Sequence, residues 1–404
     1  MRRVLMKTEN EYIRVGTTFY KVVEQPLVDG GFVKKLIPWK LEMLRHDLAK
    51  DAIAAIPKYD GFCLVPSHTQ YKKVIGNFLN LYEPLTNIPE SNGNFSHISS
   101  LIRHIFGEQY DLGMDYLQLL YLEPLQKLPI LLLVSTERNT GKTTFLNFLK
   151  LLFEENATFN SNEEFRSQFN SDWAGKLLVL VDEVLLNRRE DSERLKNLST
   201  AQIYKKESKG RDKTEIQFFA KFVLCSNNES TPVIIEPGET RYWVRKIEPL
   251  KSDDPYFIEK IKSEIPAFLD VLLHRELSTG KESRMWFALK LIHTDALDKI
   301  IKNNRPRAEL DMIDLCLDVM ERMNINQYSF CPNDIHNLLL NTHVRIEKWQ
   351  ILHVLKERWN LKPTPNCFSY TTYCVNFNHS SDYYPVQKKG RYYSVLREFL
   401  EQLR

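Results

Sequence analysis

Three strand-like runs organise the middle of the chain. Residues 131–134 (LLLV) and 177–181 (LLVLV) are continuously apolar, the pattern of strands buried on both faces, and 221–226 (KFVLCS) reads as a third strand. Residues 145–153 (FLNFLKLLF) follow the first run with helical spacing. Upstream, residues 11–24 predict two strands around Gly16-Thr17-Thr18. Residues 39–56 predict one helix through Leu41, Leu44, Leu48, Ala52 and Ile56, stopped by Pro57. A short strand at 61–66 and helices at 98–106 and 114–128 complete the lead-in. Downstream, residues 202–206 and 214–219 predict a hairpin turning at 208–212. Residues 256–277 predict an amphipathic helix broken at Pro266, and 302–307 (KNNRPR) a linker. The last hundred residues read helix 308–323, helix 332–341, helix 345–359, strand 372–377, then a hairpin at 386–395 turning at Gly390. That order suggests a winged helix. The expected fold class is α/β, divided at 1–97, 98–285 and 286–404.

Composition narrows this modestly. A chain of 404 residues with 43% hydrophobic and 26% charged residues is ordinary for a globular protein of two or three domains. No run of eighteen apolar residues predicts a membrane span, and the N-terminus lacks a secretory core, so a cytoplasmic location is expected. Six cysteines without CxxC spacing read as reduced structural thiols rather than zinc ligands. A net charge of +3 leaves nucleic-acid binding to local patches. Asp111, Asp115 and His104 read as surface groups, and nothing in the first hundred residues resembles a primase or nuclease site.

The chemistry begins after the first apolar run. Residues 136–144 (TERNTGKTT) turn from a strand into a helix, the layout of a phosphate-binding loop. Thr136, Glu137, Arg138, Asn139, Thr140, Gly141, Lys142, Thr143 and Thr144 are the candidate ATP-binding residues. Lys142 would reach the β- and γ-phosphates and Thr143 would ligate Mg²⁺. The full pattern has Gly where this chain has Thr136. The second run ends in Asp182-Glu183. Carboxylates at a buried strand end suit Mg²⁺ support by Asp182 and activation of water by Glu183. The third run ends in Asn227-Asn228, and Asn227 can orient that water. Arg241 precedes a further β-like run and is placed to act as an arginine finger. Between the second and third runs, Lys205, Lys206, Lys209, Arg211 and Lys213 crowd the predicted hairpin against Glu207 and Asp212 only.

In this order these elements resemble superfamily 3 helicases, AAA+-related ring motors, and within them the helicase part of phage and plasmid primase–helicases of poxvirus and satellite-phage type. The resemblance spans residues 78–277. It implies an AAA+-like P-loop ATPase core and a homo-hexamer with ATP between subunits. It also implies a channel hairpin whose tip, Lys209 and Arg211, grips single-stranded DNA, and 3′→5′ movement. The implied setting is replication of a phage, plasmid or other mobile element. The expected partners are single-stranded and forked DNA, with any primase or primase-polymerase on a separate chain. In the C-terminal segment, Lys388, Lys389 and Arg391 are candidate duplex contacts, and Arg345, Lys348 and Gln350 can face a groove. The competing expectation is an AAA+ ATPase that loads or remodels protein without unwinding DNA. The basic hairpin argues against it.

Overall fold

The computed structural model describes residues 11–28, 31–186, 188–207, 212–341, 345–375 and 383–403. Two compact units emerge. One comprises Met1–Val233 with Thr240–Thr294, the other Ile234–Glu239 with Asp295–Arg404.

The first unit starts with the expected strand pair, β1 (Tyr12–Val15) and β2 (Thr18–Pro26), turning through Gly16 at φ +57°. With β3 (Phe32–Trp39) and β4 (Lys58–Tyr59) they form a sheet ordered β3-β2-β1-β4. The single helix expected at 39–56 is two, α1 (Leu41–Asp47) and α2 (Lys50–Ala54). Leu48 and Ala49 between them are extended. Asp47 closes α1, where a carboxylate opposes the helix dipole. Its Oδ2 accepts from the Tyr12 hydroxyl and Trp39 Nε1, both at 2.9 Å, which holds the chain at the break. The strands β5 (Gly61–Cys63), β6 (Val74–Ile75) and β7 (Phe78–Asn80) form a small second sheet.

Helices α3 (Ser96–Phe106) and α4 (Tyr110–Leu122) lead into a five-stranded sheet. Its strands are β8 (Ile130–Val134), β9 (Ala157–Phe159), β10 (Leu178–Val181), β13 (Lys221–Ser226) and β14 (Tyr242–Lys246). The order is β14-β8-β13-β10-β9, and every pairing is parallel. The three strand-like runs are thus the three central strands. Helix α5 (Lys142–Phe153) follows β8, α6 (Asn162–Arg166) follows β9, and α7 (Arg189–Thr200) follows β10. The predicted hairpin is present as β11 (Ile203–Lys206) against β12 (Thr214–Gln217). Helix α8 (Phe257–His274) runs through Pro266 without the expected break. Ile265, Ala267, Phe268, Leu269 and Leu272 are buried around it, so packing outweighs the roughly 3 kcal/mol preference against proline. Phe106, Phe145, Phe148, Phe268 and Trp243 join α3, α5, α8 and β14 through ring contacts. A short α9 (Leu289–Ile292) ends the unit.

Two polar groups in this unit depart from the surface role expected of them. Asp115 is fully buried and accepts from Arg275 Nη1, from the backbone and hydroxyl of Ser278, and from those of Thr279. It ties α4 to the chain beyond α8. His104 is half-buried, with Nε2 3.0 Å from the Thr140 carbonyl. Asp111 is exposed as expected.

His68 carries the clearest pH signature of the fold. Its Nδ1 lies 2.7 Å from the Tyr121 carbonyl, and the Tyr82 hydroxyl lies 2.7 Å from Nε2. Burial draws its pKa down to about 4; the Tyr121 carbonyl opposes the shift and the Lys221 charge adds to it. The unfolded chain therefore takes up this proton first. The stability from keeping His68 neutral is present above about pH 6.5 and is lost as pH falls toward 4, roughly 3 kcal/mol in all. Urea midpoints measured from pH 7 to 4.5 should fall more steeply for wild type than for His68→Gln. Parallel curves for the two would contradict this.

The second unit contains α10 (Asp295–Asn303), α11 (Arg307–Arg322), β15 (Gln327–Phe330), α12 (Pro332–Asn341) and α13 (Lys348–His353), which continues as a π-helical turn, Val354–Arg358. Then come β16 (Phe368–Val375), β17 (Tyr383–Gly390), β18 (Tyr393–Leu396) and α14 (Arg397–Leu403). The three predicted helices are recovered, and of the expected linker Lys302 and Asn303 end α10 and Arg307 starts α11, leaving 304–306 between them. The hairpin expected at 386–395 is not formed. Tyr383–Gly390 pairs instead with Phe368–Val375, and Gly390 sits opposite Phe368 at a strand end. The residues after it cross to pair with β15, a strand absent from the expected elements. The segment that joins the two strands, 376–382, lies outside the described residues. Lys388 and Lys389 pair with Tyr370 and Ser369 near the Gly390 end of β17, and Arg391 lies just beyond it.

Candidate active site

The site is built where three adjacent strands end. β8, β13 and β10 are neighbours, and their carboxyl ends carry the glycine loop, Asn227 and the Asp182-Glu183 pair respectively. The loop needs left-handed backbone at two places, Asn139 (φ +53°) and Gly141 (φ +78°). Asparagine and glycine are the residues that accept it. Thr136 is not a positive-φ residue, so a side chain is accommodated where the common pattern has glycine. Its N–H donates to Oε1 of Glu229 at 3.0 Å. Glu229 is buried and was not anticipated; a glutamate in the loop after Asn227 gives no local signal.

Gly141 is the N-cap of α5 and Lys142 its first residue. The buried Lys142 Nζ donates to Ser135 Oγ, to Thr140 Oγ1 at 3.0 Å and to Asn227 Oδ1 at 3.0 Å. Burial draws its pKa below the usual lysine range, only partly offset by Cys225, Asp182 and Glu229. The ammonium is thus held by neutral oxygens beside a helix N-terminus, a setting that favours an anion. The Thr143 hydroxyl donates to Asp182 Oδ2 at 2.8 Å. Residues 138–144, Asp182, Glu183 and Asn227 line one cleft of about 360 Å³. The Thr143 hydroxyl and the Asp182 carboxylate present paired hard oxygens that suit Mg²⁺, which takes few protein ligands and completes its shell with water and phosphate.

Glu183 stands in left-handed backbone, φ +54°, unusual for this residue. Its N–H donates to Asp182 Oδ1 at 3.1 Å. The turn is pinned on both sides. The Val184 N–H donates to the Cys225 carbonyl at 2.7 Å and Ser226 Oγ donates to the Val184 carbonyl at 3.0 Å. Local strain at a polar residue, retained by such over-determination, accompanies functional sites.

The other candidates lie elsewhere. Arg241 is at the start of β14, and its carbonyl accepts from the Ile130 N–H at 2.8 Å. It therefore stands one strand length, about 16 Å at ~3.3 Å per residue, from the end of the sheet that carries Lys142. Its charge acts on Glu193 of α7, whose carboxyl is lowered first by Lys196. On the hairpin, Lys205 is exposed, Lys206 is half-buried, and Lys213 pairs with Glu207 at 2.7 Å. Lys209 and Arg211 lie outside the described residues. In the second unit Lys388 is drawn inward, donating to buried Asp334 at 2.6 Å. Arg391 donates to the carbonyls of Thr364 and Pro365, and Lys389 is exposed. Exposed Arg345 and Lys348 flank the start of α13.

No helix among the described residues is long and apolar enough to cross a membrane. A model described as a family of unknown function (DUF5906) matches residues 133–242, which hold every residue of the cleft. No curated protein matches the chain. Solved structures with the same fold include the apo structure of the NrS-1 C-terminal region (305–718). It is 16% identical at TM-score 0.64, over 93% of this chain and 95% of that one. The A form of the same region aligns at TM-score 0.63 and 16% identity over 98% of both chains.

Proposed function

We propose that the chain is an ATP-hydrolysing DNA translocase of superfamily 3 type. Its parts are an N-terminal segment (1–97), a motor core (98–285) and a winged-helix-like segment (286–404). The observation that carries this reading is the meeting of Lys142, Thr143, Asp182 and Asn227 at the ends of three adjacent parallel strands, with the basic hairpin on the connection between two of them. Lys142 and the loop N–H groups bind the triphosphate, and Thr143 and Asp182 would hold Mg²⁺. The metal, when bound, neutralises phosphate charge. Glu183 takes a proton from the attacking water, and Asn227, tied to Lys142, orients that water. Hairpin cations contact the phosphodiester backbone, which serves translocation because such contacts ignore base sequence. Arg241 serves the site of a neighbouring subunit in a ring.

Titration with a fluorescent ATP analogue tests the pocket. Lys142→Ala removes a charge-assisted phosphate contact worth about 1.5–3 kcal/mol, so affinity should fall by roughly ten- to a hundredfold. Unchanged affinity would place the nucleotide elsewhere.

A further inference from the structure

Residues 162–170 carry the same device at both ends. At one end the Asn162 side chain brackets the strained Glu183 turn. Its Nδ2 donates to the Glu183 carbonyl at 3.2 Å, and its Oδ1 accepts from the Leu185 N–H at 3.0 Å. At the other end the buried Asn170 side chain brackets the first hairpin arm. Its Nδ2 donates to the Lys205 carbonyl at 2.9 Å, and its Oδ1 accepts from the Glu207 N–H at 2.8 Å. Each amide thus satisfies one donor and one acceptor of a backbone distant in sequence.

The stretch between the two clamps is braced. A capping box of Ser161 and Glu164 starts α6. Arg166 donates to the Leu185 carbonyl at 3.0 Å and to Asp191 at 2.8 Å, adding a second hold on the Glu183 turn. Arg194 of α7 donates to the carbonyls of Arg166 and Ser167 at 3.0 and 2.8 Å, and to the Tyr204 hydroxyl of the hairpin at 3.2 Å. Trp173 stacks on both Phe165 and Tyr204. A rigid piece of chain therefore touches the backbone of Glu183 on one side and the backbone of Lys205 on the other.

We propose that residues 162–170 are the coupling element between the Glu183 turn and the basic hairpin, with Asn162 and Asn170 as positioning residues. The proposal rests on the motor reading. A change at the Glu183 turn is transmitted to the hairpin arm through Asn162, α6 and Asn170, and by linkage DNA on the hairpin acts back on nucleotide binding by the same factor.

The test measures affinity for a labelled oligothymidine single strand, with and without the β,γ-imido analogue of ATP. It compares wild type, Asn162→Ala, Asn170→Ala and the double variant. Wild type should show a ratio of at least fivefold between the two conditions. Each single variant should bring the ratio to within twofold of one, while the affinity for the analogue alone stays within about threefold. The double variant should lose no more than either single, because residues on one chain of contacts are non-additive. Asn162→Ser and Asn170→Ser, which keep a small polar group but are too short to bracket both backbone groups, replace the alanine variants if those fail to fold. A merely structural role lowers the melting temperature and leaves the ratio intact; an intact ratio in the folded variants overturns the proposal. A wild type that binds neither probe, or whose DNA affinity ignores the analogue, overturns the motor reading itself, a separate result visible without any variant.

Discussion

Glu183→Gln should bind ATP as wild type does and hydrolyse it about 10²–10⁴-fold more slowly, the usual loss when a general base is removed. The amide keeps the size of the carboxylate but cannot accept a proton from water. The backbone hold on the turn involves the Glu183 carbonyl and N–H rather than its side chain, so the substitution leaves the turn in place. Single-turnover hydrolysis and analogue binding measured on the same preparation separate the two effects. A wild-type hydrolysis rate would remove Glu183 from the chemistry and the acidic pair from its assigned roles.

The second large effect concerns Arg241. Its position at the start of β14, a strand length from the end of the sheet that carries Lys142, puts its own site beyond the reach of its side chain. If it acts, it acts on a neighbour. Arg241→Ala should therefore bind ATP normally and lose hydrolysis by about 10³-fold or more, the scale of arginine fingers. Mixing it with Lys142→Ala should restore part of the activity, because a mixed interface pairs an intact finger with an intact loop. Mixed oligomers that show no recovery would refute action across an interface. A protein that stays monomeric by light scattering with ATP, Mg²⁺ and DNA present would refute the ring.

The core was legible because its signals are local. A strand-like run ending in Gly-Lys-Thr, Asp-Glu or Asn marks a buried strand and the residue that leaves it, and β8, β10 and β13 stand where those runs predict. The tertiary choices were not legible. Helix propensity runs through Leu48, but Tyr12 and Trp39 fix Asp47 and end α1. Pro266 signals a break that a buried helix face overrides. Gly390 among lysines looks like a hairpin turn, yet the ribbon is set by eight cross-strand pairs starting at Phe368 and Gly390. In the site, Lys142, Thr143, Asp182 and Asn227 could be named because each follows a strand. Glu229 could not, because its partner Thr136 lies far along the chain and a polar residue in a loop carries no period. Outside the cleft, Asn162, Asn170 and Asp115 were hidden in the same way, by partners distant in sequence.

The most direct test of the central claim is strand displacement from a labelled DNA fork by the purified wild-type chain in ATP and Mg²⁺. The account predicts unwinding that requires hydrolysable ATP and disappears in Glu183→Gln. ATP hydrolysis that proceeds with the fork left intact, at a rate indifferent to single-stranded DNA, would contradict it.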